Sequence, residues 1–402
     1  MDIPFGRSAL NEIEEILRWH KLPPLKIGQH TARLPIVQGG MAVGISLSGL
    51  ASAVANAGGI GVIAAPGVGL FEPDFAKNFF EANLRGLRNE IRRARAKTRG
   101  VLGVNIMVAL TDFAEMAKAA IEEGIDIIFA GAGLPLRLPE ILGQNRHTKL
   151  VPIVSSGRAA RILCKKWQDD FNYTPDAFVV EGPLAGGHLG FKAEELGLPE
   201  NRLERLVPEV IEAIKPYAEK SGRPIPVIAA GGIFTGEDIY HTLRLGASGV
   251  QMATRFVATD ECDASPAFKQ AYIESKEGDA IIIKSPVGLP GRALRNAYLD
   301  SVSAGHKKPF KCPQHCVKTC NYQESPYCIF VALINAQRGH LSGGFAFCGA
   351  NVHRVKEIVP VKKLVGSLVK EYKACAVQAL IDVMTRSMNG MLAAPSLGRG
   401  LA

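Results

Sequence analysis

The chain has 402 residues, 47% of them hydrophobic, with a mean hydropathy of +0.10. That is enough for two or three average domains or for one large α/β barrel with additions. No apolar run reaches the roughly 18 residues of a membrane span. Residues 1–22 lack the basic start and apolar block of a secretory signal, so a cytoplasmic protein is expected, with no membrane partner. The net charge of +9 comes from 47 basic and 38 acidic residues. Much of the excess lies in Arg85, Arg88, Arg92, Arg93, Arg95, Lys97 and Arg99, which read as a solvated helix face. Nucleic-acid binding calls for basic residues interleaved with exposed aromatics or a known module, and neither is evident. A basic surface favours anionic ligands such as phosphates or acyl carriers.

In chain order, residues 1–30 read as a helical extension, with Leu10, Ile13, Ile16 and Leu17 at helical spacing. From Leu34 onward short apolar runs alternate with helical stretches. The predicted strands are Pro35–Gln38, Gly61–Ala64, Leu102–Met107, Asp126–Ala130, Val151–Ser155, Ala177–Glu181, Pro226–Ala230 and Gly249–Ala253. Nearly all are continuously apolar, as strands covered on both faces should be. The predicted helices between them are Ser48–Ala57, Asp112–Glu123, Ala159–Trp167, Leu203–Lys220 and Gly236–Leu245; several stop at a glycine. Eight such units over 31–300 close most naturally into a (β/α)8 TIM barrel of the α/β class. The alternative, an open doubly wound sheet, should show G-x-G-x-x-G after its first strand. The segment Gln38-Gly39-Gly40-Met41-Ala42-Val43-Gly44 does not fit that spacing. Residues 301–402 form a C-terminal helical region that contains a four-cysteine cluster. It is entered through a loop at Val287–Asn296, has helices near Ile329–Gln337 and Val361–Tyr372, and ends in a frayed tail at 393–402.

In a barrel the loops after the strands build the active site. Here they are rich in small residues: Gly39-Gly40-Met41, Ala65-Pro66-Gly67, Gly131-Ala132-Gly133, Ser155-Ser156-Gly157, Gly182–Gly190 and Ala230-Gly231-Gly232. Six on one rim suggest a flat or phosphorylated ligand against backbone. The loop Glu181–Gly190 adds His188, the side chain that titrates nearest neutral pH. After the seventh strand, Gly231-Gly232 precede a helix at Gly236, whose free N–H groups are expected to point into the rim with the helix dipole behind them. The eighth strand runs into Gln251-Met252-Ala253-Thr254. Loops in these two places form the recurrent phosphate site of such barrels.

Taken together these motifs resemble the nitronate monooxygenase (2-nitropropane dioxygenase) family and its relative, the flavin-dependent enoyl-acyl-carrier-protein reductase. The matching stretches are Pro35–Ala42, Gly103-Val104-Asn105, Glu181 through Ala185–Gly190, and Ala230–Ile233 with Gln251–Phe256. The resemblance implies a TIM barrel that binds FMN non-covalently. It implies that Gly40, Met41 and Ala42 lie along the flavin ring, and that Asn105 bonds the flavin or its ribityl chain. Gly231, Gly232, Ala253 and Thr254 would hold the phosphate. Glu181, Gly187, Gln251 and Met252 fall within the same cofactor-binding motifs, and His188 would be the catalytic, proton-handling residue. Leu184 stands where the family commonly has an acidic residue. The implied reactions are oxidation of a nitronate or, alternatively, NAD(P)H-dependent reduction of an enoyl thioester or other activated alkene. The substrate is a small molecule, and a homo-oligomer fits such a family.

Cys312-x3-Cys316-x3-Cys320-x7-Cys328 is a separate signal that the barrel family does not require. Four thiolates so close in a cytosolic chain suggest metal rather than disulfides. A [4Fe–4S] cluster, tetrahedral zinc with His315 as a substitute ligand, and free redox thiols all fit the spacing. A cluster would suggest exchange with a one-electron redox carrier or a structural clamp.

Overall fold

The computed structural model describes residues 12–14, 16, 21–308, 311–312 and 314–392, with side chains to residue 387. Of the predicted N-terminal helix, Ile13 and Ile16 are helical, and Ile16 is buried. Leu10, Leu17 and the tail 393–402 lie outside the described residues.

The strands are β1 (Leu25–Ile27), β2 (His30–Ala32), β3 (Ile36–Gln38), β4 (Gly61–Ala64), β5 (Leu102–Met107), β6 (Ile127–Gly131), β7 (Lys149–Val154), β8 (Phe178–Glu181), β9 (Gly187–His188), β10 (Val227–Ala230), β11 (Gly249–Met252), β12 (Ala280–Lys284) and β13 (Pro290–Leu294). The eight predicted strands correspond to β3–β8, β10 and β11. They pair in parallel in one sheet, in the order β3-β11-β10-β8-β7-β6-β5-β4, so the first strand lies beside the last. The edges β3 and β4 meet through a parallel bridge between Val37 and Ile60. Gln38 N–H donates to Ile60 O and Ile60 N–H to Ile36 O, both at 2.9 Å, so the sheet closes into a barrel.

Two buried faces explain why these strands lack alternation. Val37, Val62, Ile127, Phe129, Val151, Val179 and Ile228 share one cluster, while Ile36, Ile63, Val104, Ile128, Val180 and Ala229 pack into the other, with the surrounding helices. The pleat sends successive side chains to opposite sides, and both sides are dry. The predicted helices are present as Ser48–Ala57, Phe113–Glu122, Gly157–Phe171, Leu203–Ser221 and Gly236–Arg244.

Several expectations need correction. The stretch before residue 30 is not helical throughout, since β1 and β2 form an antiparallel hairpin around Gly28, at φ 58°. Leu25, Ile27 and Ala32 join the barrel-interior cluster, and Leu25 reaches Gly249 at the start of β11. The hairpin thus plugs the barrel at the end where strands begin. Val287–Asn296 is not a loop into helices, because its residues Pro290–Leu294 are a strand between β12 and β9. The helix beginning at Val361 runs on to Leu392. The basic cluster is solvated as expected, with Arg85, Arg92, Arg93, Lys97 and Arg99 exposed, and most of it is also ion-paired. Arg85 pairs with Glu72 and Asp74, Arg88 and Arg92 with Glu123, Arg93 with Glu90, and Arg95 with Asp126. Those arginines stitch the Phe79–Lys97 helix to its surroundings. Among the described residues no helix is long and apolar enough to cross a membrane.

The Val361–Leu392 helix packs along Gly236–Arg244, with Tyr372 edge-on to Tyr240 at 5.6 Å. From it Glu371 accepts the Gly236 N–H at 2.7 Å, placing a carboxylate at a helix N-terminus. Glu371→Ala is therefore expected to lower stability by about 1 kcal/mol, the usual cost of a lost cap. A urea denaturation midpoint equal to wild type would show that this contact contributes nothing.

Candidate active site

A cavity of about 260 Å³ opens at the strand ends opposite the hairpin. It is lined by Gly40, Met41, Ala42, Asn105, Glu181, Gly187, His188, Gly231, Gly232, Gln251, Met252, Ala253 and Thr254. Every site residue predicted for the barrel faces this one space. The closure of the sheet brings them together, because each sits at or just after the end of its strand.

One wall is bare backbone. A Cβ on Gly40 would lie 2.4 Å from Asn105 Cβ, so a side chain there would displace Asn105. Gly231 and Gly232 have φ of 97° and 85°, a left-handed backbone that other residues rarely adopt. Beside them Gly349 N–H donates to Thr254 Oγ1 at 3.0 Å, and Asn351 Nδ2 donates to Gly232 O at 2.6 Å. The guanidinium carbons of Arg255 and Arg354 lie 4.6 and 4.5 Å from the centroid of the Phe234 ring, which also lines the cavity. This end of the cavity therefore combines small backbone turns, a hydroxyl and nearby positive charge.

The other end holds the histidine. β9 brings His188 to the cavity and pairs it with Gly291 of β13. Its Nε2 is hydrogen-bonded to Ser285 Oγ at 2.8 Å, and the Phe347 ring stands edge-on at 5.0 Å. Burial pushes the imidazole pKa down to about 4, so it is neutral near pH 7. The loop between β8 and β9 is anchored by Arg292 of β13, whose Nη1 donates to Pro183 O and Ala185 O, each at 2.6 Å.

The nitronate monooxygenase family profile matches residues 24–371. The chain belongs to the nitronate monooxygenase family. It is thus an oxidoreductase of a flavin-using family, acting on a small molecule. It is 28% identical over 312 residues to a probable nitronate monooxygenase of Staphylococcus saprophyticus, covering 70% of this chain and 81% of that one. It is 29% identical over 273 residues to (3aS,4S,5R,7aS)-5-hydroxy-7a-methyl-1-oxo-octahydro-1H-indene-4-carboxyl-CoA dehydrogenase of Mycobacterium tuberculosis, covering 68% of this chain and 66% of that relative. The fold is similar to FabK from Thermotoga maritima, with a TM-score of 0.66 and 29% identity over 89% of this chain and 95% of that one.

In this nitronate monooxygenase family member, some predicted features do not come together. The Ser155-Ser156-Gly157 loop turns away from the cavity, and the Ser156 side chain caps its own helix by accepting Ala159 N–H. At the N-terminus of the Gly236–Arg244 helix most donors are taken within the protein. Phe234 and Thr235 N–H go to Asp238 Oδ2, and Gly236 N–H goes to Glu371. Carboxylates from the protein satisfy that end, so the donors left for a ligand are those of the flanking glycine turns.

Sequence reasoning missed Phe347, Cys348, Gly349, Ala350 and Asn351, which return from the C-terminal region to line the cavity. Tyr272 Oη donates to Phe347 O, and Ala350 N–H donates to Leu184 O at 3.1 Å. The only local signal was a lone Cys-Gly-Ala-Asn turn. Leu184 packs against Gly232 at the cavity wall and is 47% exposed. The four clustered cysteines lie outside this cavity, though Cys316 reaches a smaller cleft beside it.

Glu181 ends β8 at the cavity floor, where burial pushes its carboxyl up to about 8. The folded chain holds this proton more tightly than the unfolded chain does. Its stability on this account is fullest below the ordinary value of 4.5 and falls as pH rises through about 8. Thermal melts of the flavin-free protein are expected to show that decline, and Glu181→Gln to flatten it. Identical pH profiles for the two proteins would place the Glu181 pKa in the ordinary range.

Proposed function

We propose that this chain is an FMN-dependent oxidoreductase in which His188 handles the substrate proton, with a nitronate, or the nitroalkane it derives from, as substrate. The observation that carries the reading is a neutral, hydrogen-bonded imidazole on the same cavity as a bare-backbone wall and a phosphate-like cradle. The residues fit FMN. Gly40, Met41, Ala42 and Asn105 line the wall where a flat ring needs close approach to backbone. Gly231, Gly232, Ala253 and Thr254, with Gly349, form a cradle beside two guanidinium groups. Glu181, protonated near neutral pH, and Gln251 give polar contacts on the floor, with Gly187 and Met252 adjoining. Bound FMN would supply the electron acceptor and donor that no side chain provides.

His188 is in the unprotonated state that proton abstraction requires, although burial also makes it a weaker base than a free imidazole. A base must be unprotonated at working pH, and a pKa near 4 leaves the ring neutral. The Ser285 hydroxyl serves either tautomer. It can accept Nε2–H, leaving Nδ1 to take a proton, or donate to Nε2, leaving Nδ1–H to stabilise an anion. Ser285 Oγ also accepts Val287 N–H at 3.2 Å, which fixes its position.

The same geometry supports a second reading, NAD(P)H-dependent reduction of an enoyl thioester or other activated alkene, in which Nδ1–H steadies the enolate. The 29% identity to a dehydrogenase of a CoA thioester favours keeping it. Stopped-flow mixing under anaerobic conditions separates the two. Bleaching of the flavin by propionate 3-nitronate alone supports nitronate oxidation, whereas bleaching by NADH or NADPH supports the reductase.

His188→Ala is expected to retain flavin and to lose roughly 10²–10⁴-fold in turnover, the range of general acid–base help. Full turnover in that variant would remove the proton-handling role. In calorimetric titration, FMN should bind flavin-free protein more tightly than riboflavin by roughly tenfold to a hundredfold, as one charge-assisted hydrogen bond contributes about 1.5–3 kcal/mol. Equal affinities would discard the phosphate cradle.

A further inference from the structure

We propose that His30, Asp126 and His147 form a binding site for a divalent transition metal, with zinc as its expected occupant, at the barrel end remote from the active-site cavity. The three residues come from separate elements. His30 opens β2 of the hairpin, Asp126 immediately precedes β6, and His147 lies just before β7. One ring nitrogen from each histidine and one oxygen of the carboxylate all lie within 4.8 Å of one another.

The separations suit a small ion. His147 Nε2 lies 2.9 Å and His30 Nδ1 3.8 Å from Asp126 Oδ1. Tetrahedral zinc, bonded to nitrogen and oxygen at about 2.0–2.2 Å, holds its ligand atoms about 3.4 Å apart. Small side-chain rotations therefore close the site.

The surrounding hydrogen bonds fix which atoms face inward. A carbonyl oxygen only accepts, so the 2.8 Å contact between His30 Nε2 and His147 O puts the hydrogen on Nε2. Gln29 Nε2 donates to the same carbonyl at 2.8 Å. In the neutral His30 ring Nδ1 is then a bare lone pair, and it faces a carboxylate oxygen. Two acceptors turned toward each other need a cation between them, either a proton on the ring or a metal ion. A second nitrogen that donates to a carbonyl is the usual outer-shell arrangement of a metal-bound histidine.

Asp126 is fixed in a matching way. It is 6% exposed, and its Oδ2 accepts Leu102 N–H at 2.9 Å and Arg95 Nη2 at 2.7 Å, which leaves Oδ1 turned to the imidazoles. The Arg95 charge also selects the metal. It offsets the carboxylate, so a hard ion such as Mg²⁺ or Ca²⁺, which depends on charged oxygens, gains little. Two imidazole nitrogens remain as the main donors, and these favour zinc, copper or nickel. Three protein ligands leave a fourth position for water, on the side where the His147 ring is half-exposed.

His30 and His147 are 117 residues apart in sequence, so the unfolded chain does not assemble the set. Occupancy clamps the β1–β2 plug to the strands it closes, and metal binding becomes folding free energy. The N-terminal face of a barrel is where stability rather than catalysis is built. The metal site shares no residue with the cavity assigned to flavin and stands apart from the proposed function.

The test uses the full chain, stripped with chelator and titrated calorimetrically with Zn²⁺ alone. The cysteines of the chain can also take zinc, so the readout is the difference between wild type and the double variant His30→Gln, His147→Gln, with the fold of both checked by circular dichroism. Wild type should bind one more ion per chain than the variant. With Co²⁺ as probe, the difference spectrum should show tetrahedral d–d bands and no thiolate charge-transfer band. Zinc at about a hundredfold above its Kd should raise the wild-type melting midpoint by a few degrees, an increase reversed by EDTA and absent from the variant. His147→Ala alone, at a half-exposed position, should weaken this zinc by at least about tenfold. Equal zinc uptake by wild type and the folded variants, a thiolate band in the difference spectrum, a wild-type midpoint that zinc does not move, or an equal shift with Mg²⁺ would overturn the proposal.

Discussion

The active site depends on one buried guanidinium. Arg292 sits in β13, 7% exposed, and spends its Nη1 donors on the carbonyls of Pro183 and Ala185. Removing a charge from water costs several kcal/mol, and burial does lower this guanidinium's pKa. Two charge-assisted bonds, at about 1.5–3 kcal/mol each, roughly offset that cost. Arg292 is therefore poorly explained as a source of stability and well explained as a positioning residue. The β8–β9 loop has little regular structure of its own, and this anchor, with the β9–β13 pairing, fixes where His188 points.

That anchor links two parts of the molecule with different origins. The barrel supplies the backbone turns and the floor residues Asn105, Glu181 and Gln251. The segment after β11 supplies the antiparallel sheet that grips His188, the Ser285 hydroxyl that orients it, and Phe347 packed against its ring. The Phe347–Asn351 stretch then crosses back to Thr254 and Gly232. The cavity is complete only when these late segments dock on the barrel. Burial is what sets the chemistry once they do. It holds His188 neutral and Glu181 protonated, so neither residue that lines the inner cavity carries a charge near pH 7. Positive charge is kept at the Phe234 end, where Arg255 and Arg354 stack.

What was legible in the sequence follows from this division. Continuous apolar runs such as Gly61–Ala64 mark strands buried on both faces, and their bounds agree with the fold to within a few residues. Glycines at strand ends mark the rim in the local pattern, whereas Asn105, Glu181, Gln251 and Met252 are singled out only through the family resemblance. β13 could not, because Pro290, Gly291 and Arg292 have low strand propensity and pair only through tertiary contact with β9 and β12. The β1–β2 hairpin is too short to announce itself, and it exists because the barrel interior needs a plug. The Gly236 N-terminus looked free because its partner, Glu371, lies 135 residues further on. Long-range partners of this kind leave no trace in a local window.

The departure at Leu184 can be placed on the same footing. In a loop fixed by Arg292, the Leu184 carbonyl is already committed to Ala350 N–H, so its side chain is what remains free to vary. It packs on Gly232 yet stays 47% exposed, at the edge of the cavity mouth. An acidic side chain there would add negative charge near the glycine cradle and oppose an anionic group entering past it. An apolar one removes that repulsion and offers a surface to an aliphatic or thioester chain. Leu184 lies apart from His188, so its apolar side chain shapes the mouth of the cavity without touching the imidazole.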